Sequence, residues 1–264
     1  MYHFNVEKVL LQRALRKTRS ESTFENFLSQ LELIEELYVD IEQNISSPIL
    51  VQQARKQAII SLVSALEVFF KDTLKNAYDS NVFEDSELLH NIHKHFYLND
   101  IENIIKHNIS VGELLASLFT FHSLRSINKV FSGLIGKNFF NQINQFAFEI
   151  EVEQEKNHNG VKKTTILQED YKVYQRMQQL YSLRPFITHD QPEKSTISEY
   201  QVQNFISTAN LFAFVTDNYL KDLIQYKQKK QAEAQKAAQE EEEAFIKEES
   251  HFKNKKFCNH PGKK

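Results

Sequence analysis

The run 50–79, LVQQARKQAIISLVSALEVFFKDTLKNAYD, constrains what this chain can fold into more than any other stretch. Its apolar residues return at helical spacing, with Ile60, Val63, Phe70 and Leu74 on one stripe. The same period puts Glu67 on that stripe. An unpaired carboxylate among apolar side chains is costly. Glu67 therefore either has a partner, or sits where the edge of the stripe is wet.

The rest of the chain supports a helical class. Only five glycines and four prolines occur in 264 residues, too few for a turn-dense sandwich or barrel. A second helix opens on the capping-box pair Ser22 and Glu25 and carries Phe27, Leu31, Ile34, Tyr38 and Ile41 on one face. Residues 4–17 read as a helix with a basic end, Arg13, Arg16, Lys17 and Arg19. Between 84 and 140 shorter helices are expected at 86–96, 98–107, 111–121 and 124–140.

The period then changes. In FAFEIEVE, Phe146, Phe148, Ile150 and Val152 alternate with other residues, as in a strand. Asn159-Gly160 is a good turn pair and VKKTTIL a return strand, so a β-hairpin over about 146–167 is predicted inside a mostly α fold. Residues 168–183 return to helix, with Tyr171, Tyr174, Met177, Leu180 and Tyr181 on one face. Thr196 and Glu199 form a further capping box before the last core helix. After Tyr226 the apolar stripe ends. The expected division is a helical domain 1–226 and a charged helical extension with a disordered tail, 227–264.

Several function classes lose support at once. The net charge is −3, whereas a non-specific duplex binder is usually basic overall. The single cysteine, Cys258, rules out an internal disulfide framework and suits a reducing, cytoplasmic setting. No run approaches the roughly 20 apolar residues of a membrane helix, so no membrane partner is expected. No P-loop, G-x-G-x-x-G or G-x-S-x-G is present. His90, His93 and His95 have helix-face spacing, but no acid or cysteine completes a ligand set, and a solvated or structural role is expected. The tail residues Cys258 and His260 would need ligands from elsewhere. No metal or cofactor is expected.

The segment LRPFITHDQPEK, 183–194, holds the candidate chemistry: Arg184, then four residues, then His189. On an unbroken helix a five-residue step turns about 140° and rises about 7.5 Å. Pro185 lacks an amide hydrogen and crowds the carbonyl of Tyr181, so a kink or restart is expected, with Pro185 in a first-turn position. Both side chains can then face one cleft at a helix junction. The plain alternative is that Arg184 pairs with an acid and His189 sits at a helix end.

This layout resembles the HEPN-domain proteins (higher eukaryote and prokaryote nucleotide-binding), above all their ribonuclease branches. The motif RPFITH carries the resemblance, together with the helix before it, the capped helix after it and the early apolar helix holding Glu67, over roughly residues 20–226. The resemblance implies a helical bundle and metal-independent endoribonuclease activity in a toxin or antiviral-defence setting. A ribose 2′-hydroxyl would attack the adjacent phosphorus, leaving a cyclic phosphate. Histidine suits proton transfer near neutrality, and arginine's fork suits developing phosphoryl charge. One motif supplies one histidine, so a homodimer pairing two motifs across a cleft is implied. Glu67 would orient Arg184 or His189. The family often has a polar residue directly after the arginine, where this chain has Pro185. Either Thr188 or Asp190 takes over that role, or the site is inactive. Two other readings stand beside this one. The first is a non-catalytic nucleotide- or RNA-binding or regulatory module. The second is a helical adaptor that docks a protein partner through 227–250.

Overall fold

The computed structural model describes residues 5–20, 22–83, 86–90, 96–153, 159–165, 167, 172–190 and 196–258. The side chains at 90, 148–153, 159–164, 189–190, 244–245 and 248–258 lie outside that description. The chain is mostly helical. It divides into two units, Met1–Leu220 and Lys221–Lys264, a boundary slightly before the loss of the apolar stripe at Tyr226.

In the first unit, α1 (Val6–Lys17) and α2 (Thr23–Asn44) precede the long α3 (Pro48–Asp79). Each start has a local cause. Asn5 caps α1 by accepting from the Lys8 amide, and Ser22 caps α2 by accepting from the Glu25 amide. The reciprocal half of the expected box at Ser22 is not made. The Glu25 carboxylate instead accepts from the Ser20 hydroxyl at 2.6 Å. Pro48 opens α3 at a first-turn position, where its missing amide costs nothing.

The core lies along α3. Ile59, Leu62, Val63, Leu66, Phe70 and Leu74 are all but fully buried. The buried face is thus centred about one residue earlier than the predicted stripe, and Ile60 and Glu67 fall at its half-buried edge. Phe70 is the aromatic hub. Its ring centroid lies 5.1 Å from Phe69, 5.8 Å from Phe121, 5.9 Å from Phe131 and 6.1 Å from Phe212. Tilted and edge-on pairs at these separations are favourable beyond area burial. This is how a tryptophan-free chain with 21 phenylalanines fills its interior.

Five short helices follow, α4 (Glu87–His90), α5 (Leu98–Lys106), α6 (Val111–Leu118), α7 (Leu124–Ile135) and α8 (Phe139–Gln145); α6 and α7 pack on α3, α5 on α1, and α4 and α8 on α7. The single helix predicted over 124–140 is two. Gly136 ends α7 in the left-handed region at φ 71°, and the Asn138 side chain caps α8 through the Asn141 amide. Gly112 lets the start of α6 approach α3, because a Cβ there would lie 2.6 Å from the Lys75 carbonyl oxygen.

Strands β1 (Phe148–Glu153) and β2 (Asn159–Thr164) pair antiparallel, with Phe148 opposite Thr164 and Glu153 opposite Asn159. Asn159 and Gly160 therefore belong to the second strand rather than to the turn. The connecting residues, 154–158, lie outside the described residues. Phe146 is not in the strand either. It caps the end of α8 and meets Tyr219 edge-on at 5.6 Å.

Helix α9 (Val173–Pro185) leads into a π-helical turn, Phe186–Asp190, and α10 runs over Glu199–Cys258. The cap before α10 is formed by Ser198 and Gln201, two residues later than expected from Thr196 and Glu199. The Ser198 amide donates to Gln201 Oε1 at 2.9 Å, and the Gln201 amide donates to Ser198 Oγ at 3.2 Å. Up to Leu220, α10 buries Val202, Phe205, Ala209, Phe212, Ala213 and Val215. The described part of the second unit is helix to Cys258, rich in charged residues and exposed over 228–243, and in it Lys230 lies 5.0 Å from the centre of the Tyr226 ring. Among the described residues no helix is long and apolar enough to cross a membrane.

Candidate functional site

Helix α9 buries Val173, Met177, Leu180 and Tyr181. Arg184 continues that face one step further and is half-buried. Pro185 is the last residue of α9 and not in the first turn of a new helix, the position expected from the sequence. Its missing amide leaves the Tyr181 carbonyl without the usual i+4 donor. The backbone responds by widening into the π turn rather than by breaking. Buried Ile187 anchors that turn, while Phe186 and Thr188 face outward.

The widening alters the spacing argument. A π turn has more residues per turn than an α-helix, and here it covers Phe186–Asp190. Arg184 lies in α9 and residue 189 in the π turn, so the step between them is not the uniform α-helical one of about 140°. The side chains of His189 and Asp190 lie outside the described residues. The Thr188 hydroxyl donates to the Arg184 carbonyl at 3.0 Å and is within 3.3 Å of the Pro185 carbonyl. It is thereby engaged with the backbone of its own turn.

Arg184 meets Glu67 of α3, Nη1 to Oε1 at 2.5 Å. The two side chains are 31% and 23% exposed, so the pair sits at the rim of the core with one side open to water. A guanidinium carries five N–H donors. A single nitrogen engaged by Glu67 leaves donors for a second anion. Below the pair, the Tyr181 hydroxyl is buried and has no hydrogen-bond partner among the described residues. Its ionisation is pushed up by burial first and by the Glu67 charge second, with Arg184 opposing. The ion pair therefore has a dry floor, which strengthens its electrostatics relative to bulk water.

The sequence identifies both Glu67 and Arg184 as candidates and leaves the partner of Glu67 open between Arg184 and His189. The structure sets Arg184 against it. Tyr181 is legible only as one residue of an apolar face, and nothing in its spacing marks it as the floor of the pair. Of the histidine group, His90 ends α4, while His93 and His95 lie outside the described residues. Cys258 ends α10, and His260 is likewise outside. Among the described residues no three histidine, cysteine or acidic side chains are grouped as metal ligands. Comparison of the chain with family models, with curated proteins and with solved structures gives no significant match.

Proposed function

We propose that this chain is a HEPN-like helical protein that acts as a metal-independent endoribonuclease, with Arg184 and His189 as its reacting groups and Glu67 as a positioning residue. The observation that supports this reading best is the Glu67–Arg184 ion pair at the end of α9, directly before the proline and the π turn that carries His189. A carboxylate that fixes one guanidinium nitrogen holds the remaining N–H fork in a defined orientation. Such a fork can receive the charge that develops on a phosphoryl group during attack by the neighbouring 2′-hydroxyl. His189 supplies proton transfer. Because the reaction needs an acid and a base, a homodimer that brings two such turns to one RNA strand completes the site. A toxin or antiviral-defence role in the cytoplasm follows from the same resemblance. The inserted hairpin and the charged extension 227–264 are additions to the bundle, and the extension is a surface for a protein partner.

Incubation of the purified protein with single-stranded RNA in excess chelator tests the reading. Fragments ending in 2′,3′-cyclic phosphate with free 5′-hydroxyls are expected. Fragments that appear only with added divalent metal, or that end in 3′-hydroxyls, contradict it.

A second reading is favoured by the residues around Pro185. The polar residue common after the family's arginine is missing, and the Thr188 hydroxyl is engaged with the backbone. A non-catalytic RNA- or nucleotide-binding module fits these facts. Retention of RNA by the protein without cleavage, with or without the segment 227–264, selects this reading.

A further inference from the structure

A separate cluster of charge lies where the C-terminal end of α1 meets α3. It borders a cavity of about 360 Å³ in which two carboxylates, Asp72 and Glu113, face five cations. Two of the cations are fully engaged. Arg13 grips Glu113 through Nε at 2.7 Å and Nη2 at 2.5 Å, and donates to the carbonyls of His107 and Asn108. Lys75 pairs with Asp79 at 3.0 Å.

The remaining charge is unbalanced. Arg16 and Arg19 share one carboxylate, with Arg16 Nε 2.6 Å from Asp72 Oδ1 and Arg19 Nη1 3.2 Å from Asp72 Oδ2. Lys17 adds a further exposed cation. Arg16 Nη1 is buried and has no hydrogen-bond partner among the described residues. A guanidinium with one donor unmet and a carboxylate shared with Arg19 keeps a net positive charge at the cavity wall, which an anion there would offset.

The cavity adjoins a second one. A groove of about 420 Å³ between α2 and α3 shares Arg19, Thr23, Asn26 and Asp72 with it. That groove exposes Leu33, Leu37 and Val68. A cationic end joined to an apolar trough matches a ligand with an anionic head and an apolar body.

We propose that the α1–α3 cavity is a binding site for a phosphate group carried on an apolar body, with the phosphate on Arg16, Arg19 and Lys17 and the body in the α2–α3 groove. Arginine forks match phosphate geometry, and the groove supplies the apolar lining usual for small-ligand sites. The site is distinct from the Arg184 pair. Asp72 follows Glu67 by five residues on α3, about 7.5 Å along the helix and about 140° round it. Phosphate binding here and RNA cleavage at Arg184 can therefore fail independently.

Calorimetric titration of the full chain with inorganic phosphate and with phenyl phosphate tests the proposal. Saturable binding of both is expected, with phenyl phosphate about tenfold tighter. Arg16→Lys keeps a cation for Asp72 but loses the guanidinium fork, and weakens both ligands about tenfold. Lys17→Glu, an exposed change that leaves the fold intact, does the same. Val68→Lys abolishes the preference for the phenyl group. Displacement of phenyl phosphate by a 5′-phosphorylated oligouridylate, but not by its 5′-hydroxyl form, assigns the site to RNA ends. Failure of both to displace assigns it to small phosphorylated molecules. Absence of saturable binding, equal affinity for the two probes, or wild-type affinity in both Arg16→Lys and Lys17→Glu overturns the proposal.

Discussion

Glu67 and Arg184 stand 117 positions apart in the chain and meet through a contact of 2.5 Å between Oε1 and Nη1. The contact fastens the end of α9 to α3 immediately before the backbone changes from α to π geometry. With both side chains partly open to water, its effect on stability is small, about 1 kcal/mol or less. Its larger effect is on where the guanidinium points. Glu67→Gln is therefore expected to move the melting temperature by only a few degrees while lowering RNA cleavage about tenfold or more. Arg184→Lys, which keeps the charge and loses the fork, is expected to lower it further. Parallel melting curves and initial cleavage rates check both. An equal loss in melting and in rate would mark the pair as structural only.

The Arg13–Glu113 pair makes the fold sensitive to acid. Burial by itself pushes the Glu113 carboxyl up, but the hydrogen bonds from Arg13 and Ser110 outweigh it and hold the carboxyl below its ordinary value. A carboxyl depressed in the folded state stabilises the fold above its unfolded pKa of about 4.3. That stabilisation is lost as pH falls through the lower folded value. Urea midpoints are expected to be level from about pH 7 to 5 and to drop below about pH 4. Glu113→Gln is expected to cost about 3 kcal/mol at pH 7 and to flatten the acid limb.

Two glycines serve different ends and predict different costs. At Gly136 a Cβ meets nothing within 4 Å, so Gly136→Ala costs only the left-handed strain, about 1 kcal/mol. At Gly112 the added Cβ would lie 2.4 Å from Asp79 Oδ1 and 2.6 Å from the Lys75 carbonyl oxygen. Backbone cannot step aside, so α6 must part from α3. Gly112→Ala is expected to cost about 3 kcal/mol, in the upper range of single substitutions. Chemical denaturation of the two variants side by side checks the order.

Tyr181 carries a buried hydroxyl with no partner among the described residues. Replacing such a group by hydrogen removes an uncompensated desolvation cost. Tyr181→Phe is expected to leave the melting temperature unchanged or raise it. A fall equivalent to about 1 kcal/mol or more would mean that the hydroxyl is held by a partner.

Much of the helical layout is written locally. Asn5, Ser22 and Pro48 mark helix starts by chemistry that acts within one turn, and the apolar period of 50–79 places α3 along the core. Errors arise where two local signals compete. Asn159-Gly160 has turn chemistry, yet pairing with Glu153 and Val152 takes it into a strand. Gly136 divides a continuous apolar period at a position that looks tolerable inside a helix. Thr196 and Ser198 each offer a cap, and the Gln201 side chain completes the box with the second. The candidate site is legible only in part, for a different reason. Residue type and spacing single out Glu67, Arg184 and Pro185. That the carboxylate meets the guanidinium, and that the proline widens the helix to a π turn, depends on packing between α3 and α9. No window of sequence contains both.

The most direct test of the central claim is cleavage of single-stranded RNA, in the presence of chelator, by the wild-type protein and by His189→Ala. The account predicts cleavage by the wild type to cyclic-phosphate ends. It predicts a loss of about a hundredfold or more in the variant, which keeps the wild-type melting temperature. Undiminished cleavage by His189→Ala would contradict it.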